Sequence, residues 1–132
     1  MIMWGKEEVI LTGEAEQICR RIIGSNQNIR SASMCSESGE ILCSEHRRDE
    51  TSLTTRMGGQ AALIQATVRF FNRKIHEKSF GRTIFSLTLH EKVARISLPF
   101  KEKYVILISA DREANHTQMI LQDVYKILDK FD

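Results

Sequence analysis

The side chains that could do chemistry are present in this chain but scattered. His46, His76, His90 and His116 fall on expected turns and helices with no HxxxH pair to hold a metal from one helical face, so surface histidines are the simpler reading. Ser, His and Asp all occur, yet no serine sits on a recognisable nucleophile elbow and no triad is read. Three cysteines, an odd number without a CxxC pair, argue against a disulfide framework and against a thiolate zinc site. Reduced thiols in a cytosol fit better. Cys35 and Cys43 flank a hairpin turn, and they face each other only if the loop holds an odd number of residues. Gly58-Gly59 resembles a fragment of a phosphate loop, but no strand directly precedes it and no Lys-Ser/Thr follows. No catalytic residue, cofactor or metal ligand is assigned, and an enzyme is not expected.

Arg69, Arg73, Lys74, Lys78 and Arg82 make the most basic segment, broken by Glu77 and interleaved with Phe70 and Phe71. Phosphate contacts beside stacking rings are what nucleic-acid binding uses. Against that, 19 basic and 17 acidic side chains give a net charge of only +2, interspersed along the chain. A solvated helix face is the expected reading, and nucleic acid is only a third-ranked partner.

What positions these residues is the stretch from Thr51 to Lys78. Leu53, Met57, Ala61, Ile64, Val68, Phe71 and Ile75 recur at steps of three and four, which places them on one face of a long helix. Leu63, Ala66 and Phe70 form a second apolar row beside the first, wider than contact with one sheet requires. The regular stripe is expected to face the chain's own sheet, and the small-residue patch around Gly58 and Ala62 to face a second copy. Each glycine inside a helix costs up to about 1 kcal/mol relative to alanine, and close packing would offset that cost.

Around this helix the other elements follow in order. Thr12 caps a helix with Glu14 and Glu16 in its first turn and Ala15, Ile18, Cys19, Ile22 and Ile23 on its apolar face. Ile29 to Ser36 and Glu40 to Glu45 flank Glu37-Ser38-Gly39 as a β-hairpin. Gly81 ends the long helix; Arg82 to His90 and Val93 to Leu98 alternate as strands, with Pro99 closing the second. Lys103 to Ala110 is nearly continuous in apolar residues, as a strand covered on both faces should be. Asn115 caps a last helix carrying Leu121, Val124, Leu128 and Phe131 on one stripe, with Ile120 and Ile127 beside it. The order α-β-β-α-β-β-β-α implies an α+β sandwich with a five-stranded, mainly antiparallel sheet.

A length of 132 residues with 42% hydrophobic and 27% charged side chains fits one globular domain over residues 13–132, preceded by an arm or short extra helix over 1–12. Trp4 on that arm would suit a partner surface, although the usual high burial of tryptophan favours its sealing the domain's own core. No basic leader and no run near the roughly 20 apolar residues of a membrane helix is found, so a cytoplasmic protein with no membrane contact is expected.

With the order of elements, the hairpin IRSASMCSESGEILCSE, the long helix and RISLPFKEKYVILISAD in place, the chain resembles the roadblock/dynein light chain domain among the profilin-like folds. More narrowly, it looks like a family of small archaeal proteins of that architecture. The resemblance implies a homodimer that pairs long helices and third strands into one extended sheet. The matching surface would be Met57, Gly58, Ala61, Ala62, Gln65 and Phe70 with the strand Ile84, Phe85, Ser86, Leu87 to Leu89. It also implies a scaffold without chemistry of its own, and a small Ras-like GTPase as a partner. A second reading, a small-ligand sensor of profilin- or PAS-like architecture, rests on the small side chains Ser31, Ala32 and Ser33.

Overall fold

The computed structural model describes residues 10–47 and 56–131, with the side chains of Arg56 and Met57 outside that description. Residues 1–9, including Trp4, and Leu53 lie outside it too. Helix α1 (Thr12–Ser25) leads into strands β1 (Ile29–Ser36) and β2 (Ile41–His46), then helix α2 (Arg56–Asn72). A 3₁₀ turn (Arg73–His76) and a short helix α3 (Glu77–Phe80) prolong α2 before β3 (Ser86–Leu89), β4 (Ala94–Phe100) and β5 (Tyr104–Ala110). The C-terminal helix runs as α4 (His116–Gln118), a π-helical stretch (Met119–Val124) and α5 (Tyr125–Asp129).

The five strands form one antiparallel sheet in the order β2-β1-β5-β4-β3. The apolar run expected as a covered strand is β5, and it lies at the sheet's centre. Strand alternation divides its side chains. Tyr104, Ile106, Ile108 and Ala110 turn to one face and join α1 (Ala15, Ile18, Cys19, Ile22), Ala32 and Met34 of β1, and Met119, Ile120, Val124 and Leu128 of the C-terminal helix. Val105 and Leu107 turn to the other face, which α2 covers.

Local signals explain most boundaries. Gly39 adopts φ 91° in the β1–β2 turn, and Gly81 adopts φ 83° where α3 stops, its N–H donating to the Glu77 carbonyl at 2.8 Å. Asn115 caps α4 by accepting from the Gln118 N–H at 3.1 Å. Other expectations need correction. The residue preceding α1 is Leu11 and no side chain caps it, so Thr12 begins the helix instead of capping it. The third strand is short, Ser86–Leu89, not Arg82 to His90. In the last helix the π-helical stretch widens the turn, so Met119, Ile120, Val124 and Leu128 are buried and Leu121 is turned outward.

Side-chain bonds sequence reading did not find tie these layers together. Arg47 donates to the carbonyls of Ile23 at 2.6 Å, Ile29 at 2.9 Å and Asn26 at 3.0 Å, gathering the end of α1 and the start of β1. Cys35 faces α2 while Cys43 faces α1, so the two do not meet. Instead the sulfurs of Cys43 and Cys19 come into contact across the α1–β2 interface, with Cα atoms 7.2 Å apart.

Candidate interaction surface

Helix α2 presents three different sides, and the sheet decides which is which. Ala66 and Phe70 are buried with Cys35 of β1 and Val105 and Leu107 of β5, and half-buried Leu63 and Phe71 pack beside them. The rings of Phe70 and Phe71 meet edge to face with centroids 5.4 Å apart. Thr67 is buried and returns its hydroxyl to the Leu63 carbonyl at 2.8 Å, so a polar side chain sits under the helix without an orphaned group. Burial pushes the Cys35 thiol up from its ordinary value, against the opposite pull of a hydrogen bond with Thr67.

A second side is located by Arg95 of β4, whose guanidinium donates to the Ala62 carbonyl at 3.3 Å. Burial first, and the nearby Arg69 cation second, lower the Arg95 pKa. Ala62 and Arg69, two turns apart on α2, therefore both lie toward β4. Beyond β4 lies β3, the last strand of the sheet, with no further strand beside it among the described residues. Ser86 and Thr88 pair with Ser97 and Arg95 on the α2 side, while Leu87 and Leu89 pair with Ile96 and Ala94 on the opposite face. Leu87 is 42% exposed, and Ile84 and Leu89 more so. An open edge of unpaired backbone N–H and C=O groups with exposed apolar side chains is a template for another strand.

On the third side Ile64 is 44% exposed, Val68 54% and Ile75 78%. Of the regular stripe expected to face the sheet, Ala61, Ile64, Val68 and Ile75 are thus turned outward and Phe71 packs at the margin of the second row, which does the main packing; Leu53 and the Met57 side chain lie outside the described residues. Phe70, expected at a surface for a second copy, is 4% exposed and belongs to the chain's own core. Of the other residues expected there, Gly58, Ala61 and Gln65 are exposed, Ala62 is half-buried, and the side chain of Met57 lies outside the described residues. Ile84 is exposed, Ser86 half-buried, and half-buried Phe85 packs against the main core.

The basic segment is dispersed by its contacts. Lys74 donates to the Glu102 carbonyl at 2.7 Å and stands over the Phe71 ring, 5.0 Å from its centroid. Arg82 pairs with the Glu102 carboxylate at 3.3 Å, and Arg69, Arg73 and Lys78 stay exposed. With Phe70 buried, the interleaved rings do not make a stacking platform. The cleft between Phe70, Lys74, Arg82, Lys101 and Tyr104 holds about 20 Å³, room for one water. The serines read as lining a ligand space, Ser31 and Ser33, are instead hydrogen-bonded across the sheet, Ser31 to Ser109 and Ser33 to Ser44, the latter pair at 2.9 Å. A polar groove of about 290 Å³ lies elsewhere, among Asn26, Asn28, Asn115, Gln118, Gln122 and Asp123. Among the described residues no group of three His, Cys, Asp or Glu side chains is placed to hold a metal ion. None of their helices is long and apolar enough to cross a membrane.

Solved structures share this arrangement. MglB from Myxococcus xanthus superposes with a TM-score of 0.70 at 11% identity, covering 90% of this chain and 85% of that one. A Roadblock/LC7 domain from Streptomyces avermitilis gives 0.69 at 9% identity, with 87% and 92% covered. A structure of MglB in a tetrameric arrangement gives 0.66 at 10% identity, with 88% of each chain covered. No protein-family model and no curated protein matches the sequence. The chain has the roadblock fold, an α+β sandwich with a five-stranded antiparallel sheet.

Proposed function

We propose that this chain is a non-enzymatic, homodimeric interaction module whose second copy joins at the β3 edge and packs its own α2 beside the Gly58, Ala62 and Gln65 side of this one. The observation that carries the reading is the open β3 edge lying next to the one side of α2 that the Arg95 to Ala62 hydrogen bond turns toward it. Pairing two β3 strands would satisfy the edge and continue the sheet across both copies. Small residues on α2 allow two helices to approach closely. A tetrameric arrangement of MglB, which shares the fold, supports self-association in this architecture.

The partner proposed for the dimer is a small Ras-like GTPase, the class that the roadblock resemblance implies. Light scattering on the wild-type chain, on Ala62→Arg and on Leu87→Asp tests the dimer. Two copies are expected for wild type and one for each variant, with folded circular dichroism throughout. Leu87 pairs with Ile96 on the sheet face opposite α2, so Leu87→Asp separates loss of the interface from a local clash beside Arg95. Capture of purified Ras-like GTPases, loaded with GTP or with GDP, on the immobilised dimer tests the partner; equal, background-level capture of both forms would remove it.

A further inference from the structure

Helix α2 and the turn that prolongs it carry an apolar row that the sheet does not cover. Ala66 and Phe70 face the sheet and Ala62 faces β4, while Ile64, Val68 and Ile75 stand exposed on the remaining side. Three β-branched side chains in water along one rod mark a contact surface.

Charge narrows what that surface can meet. From Gly58 to Phe85 the sequence carries Arg69, Arg73, Lys74, Lys78 and Arg82 against a single acidic residue, Glu77. Lys74 and Arg82 are engaged with Glu102, and Glu77 is half-buried. Arg69, Arg73 and Lys78 are exposed, and among the described residues none of the three has an ion-pair partner. Lys78 lies one turn beyond Ile75, and Arg69 directly follows Val68, so cations and apolar side chains share the same stretch.

The complement of this surface is apolar and anionic together. Nucleic acid meets only the second condition, because bases stack on exposed rings and Phe70 is buried. An anionic bilayer meets both. Its headgroups attract cations near the surface, and a helix lying in its plane buries an apolar row at the headgroup boundary. The long stems of arginine and lysine let their charged ends reach the headgroups while the shorter side chains beside them go deeper.

We propose that the outward side of α2 is a peripheral membrane contact, in which Ile64, Val68 and Ile75 enter the headgroup boundary of an anionic bilayer and Arg69, Arg73 and Lys78 pair with its headgroups. A contact of this kind needs no membrane-spanning helix. It belongs to each chain and does not rest on dimerisation.

Co-sedimentation of the full-length chain with vesicles of phosphatidylserine and phosphatidylcholine in equal parts tests the proposal, with phosphatidylcholine alone as the neutral arm. Wild type is expected to sediment with the anionic vesicles, less so as salt is raised, and to stay in solution with the neutral ones. The triple variant Arg69→Gln, Arg73→Gln, Lys78→Gln should bind about a hundredfold more weakly, at about fivefold per charge. Val68→Asp and Ile75→Asp, both at exposed positions, should each weaken binding several-fold with circular dichroism unchanged. Leu121→Asp, exposed on the C-terminal helix, should leave it unaltered. The proposal is overturned if wild type ignores anionic vesicles at low salt, or binds the neutral ones equally well. It is also overturned if binding falls with the triple variant but is indifferent to both aspartates, the result for plain attraction to a polyanion. A dimeric wild type made monomeric by Val68→Asp overturns it too, since the row would then belong to a second copy. A monomeric wild type that binds anionic vesicles removes the dimer reading and supports this one.

Discussion

Two rows of apolar side chains run along α2 at the same helical spacing and end in different surroundings. Leu63, Ala66 and Phe70 press on Cys35, Val105 and Leu107, while Ile64, Val68 and Ile75 face outward. The outward row is the more regular and the bulkier in β-branched residues, which is why periodicity alone favours it for the core. The inward row is the one seated on the sheet: Ala66 and Phe70 are buried together with Cys35 of β1 and Val105 and Leu107 of β5. Regular spacing therefore shows that a helix has an apolar face; which of two adjacent faces meets the sheet depends on the shape of the sheet.

Substitutions along the two rows should separate them. Phe70→Ala removes a buried ring from the inward row and is expected to cost about 3–5 kcal/mol in urea unfolding. Ala66→Leu adds volume where helix and sheet touch and should cost about 1–3 kcal/mol by the same measurement. Cys35, beneath the inward row, should show a smaller, pH-dependent effect. Its thiol pKa is raised by burial from an ordinary 9.0, so its contribution is whole below that value and is lost as pH rises through the folded value. Urea midpoints of wild type should therefore fall more steeply above pH 9.0 than those of Cys35→Ala. Ile64→Gln, in the outward row, should change unfolding by no more than about 0.5 kcal/mol. A cost for Ile64→Gln matching that of Phe70→Ala would mean the rows are assigned the wrong way round.

Much of the fold was legible from local chemistry. Gly39 in a two-strand turn, the continuous apolar run of β5 and the Asn115 cap each have a short-range cause, and each is found where expected. What stayed hidden depends on residues far apart in the chain. Arg47 looks like part of a charged connection until the carbonyls of Ile23, Asn26 and Ile29 converge on it. Cys19 and Cys43 meet only because α1 lies over β2, 24 residues away in sequence. The outward turn of Leu121 follows from a π-helical stretch that no composition signal marks. For the proposed interaction surface, the small residues of α2 can be read from the sequence, whereas the place of β3 at the sheet's edge comes only with the strand order. Phe70 was misplaced because its spacing fits either row.

The central claim of the proposed function is that the β3 edge and the Ala62 side of α2 belong to a second copy of this chain. Light scattering of the purified chain at micromolar concentration tests it directly. A mass of twice 15.2 kDa, falling to 15.2 kDa for Ala62→Arg and Leu87→Asp, is the predicted result. A wild-type mass of 15.2 kDa under the same conditions would contradict it.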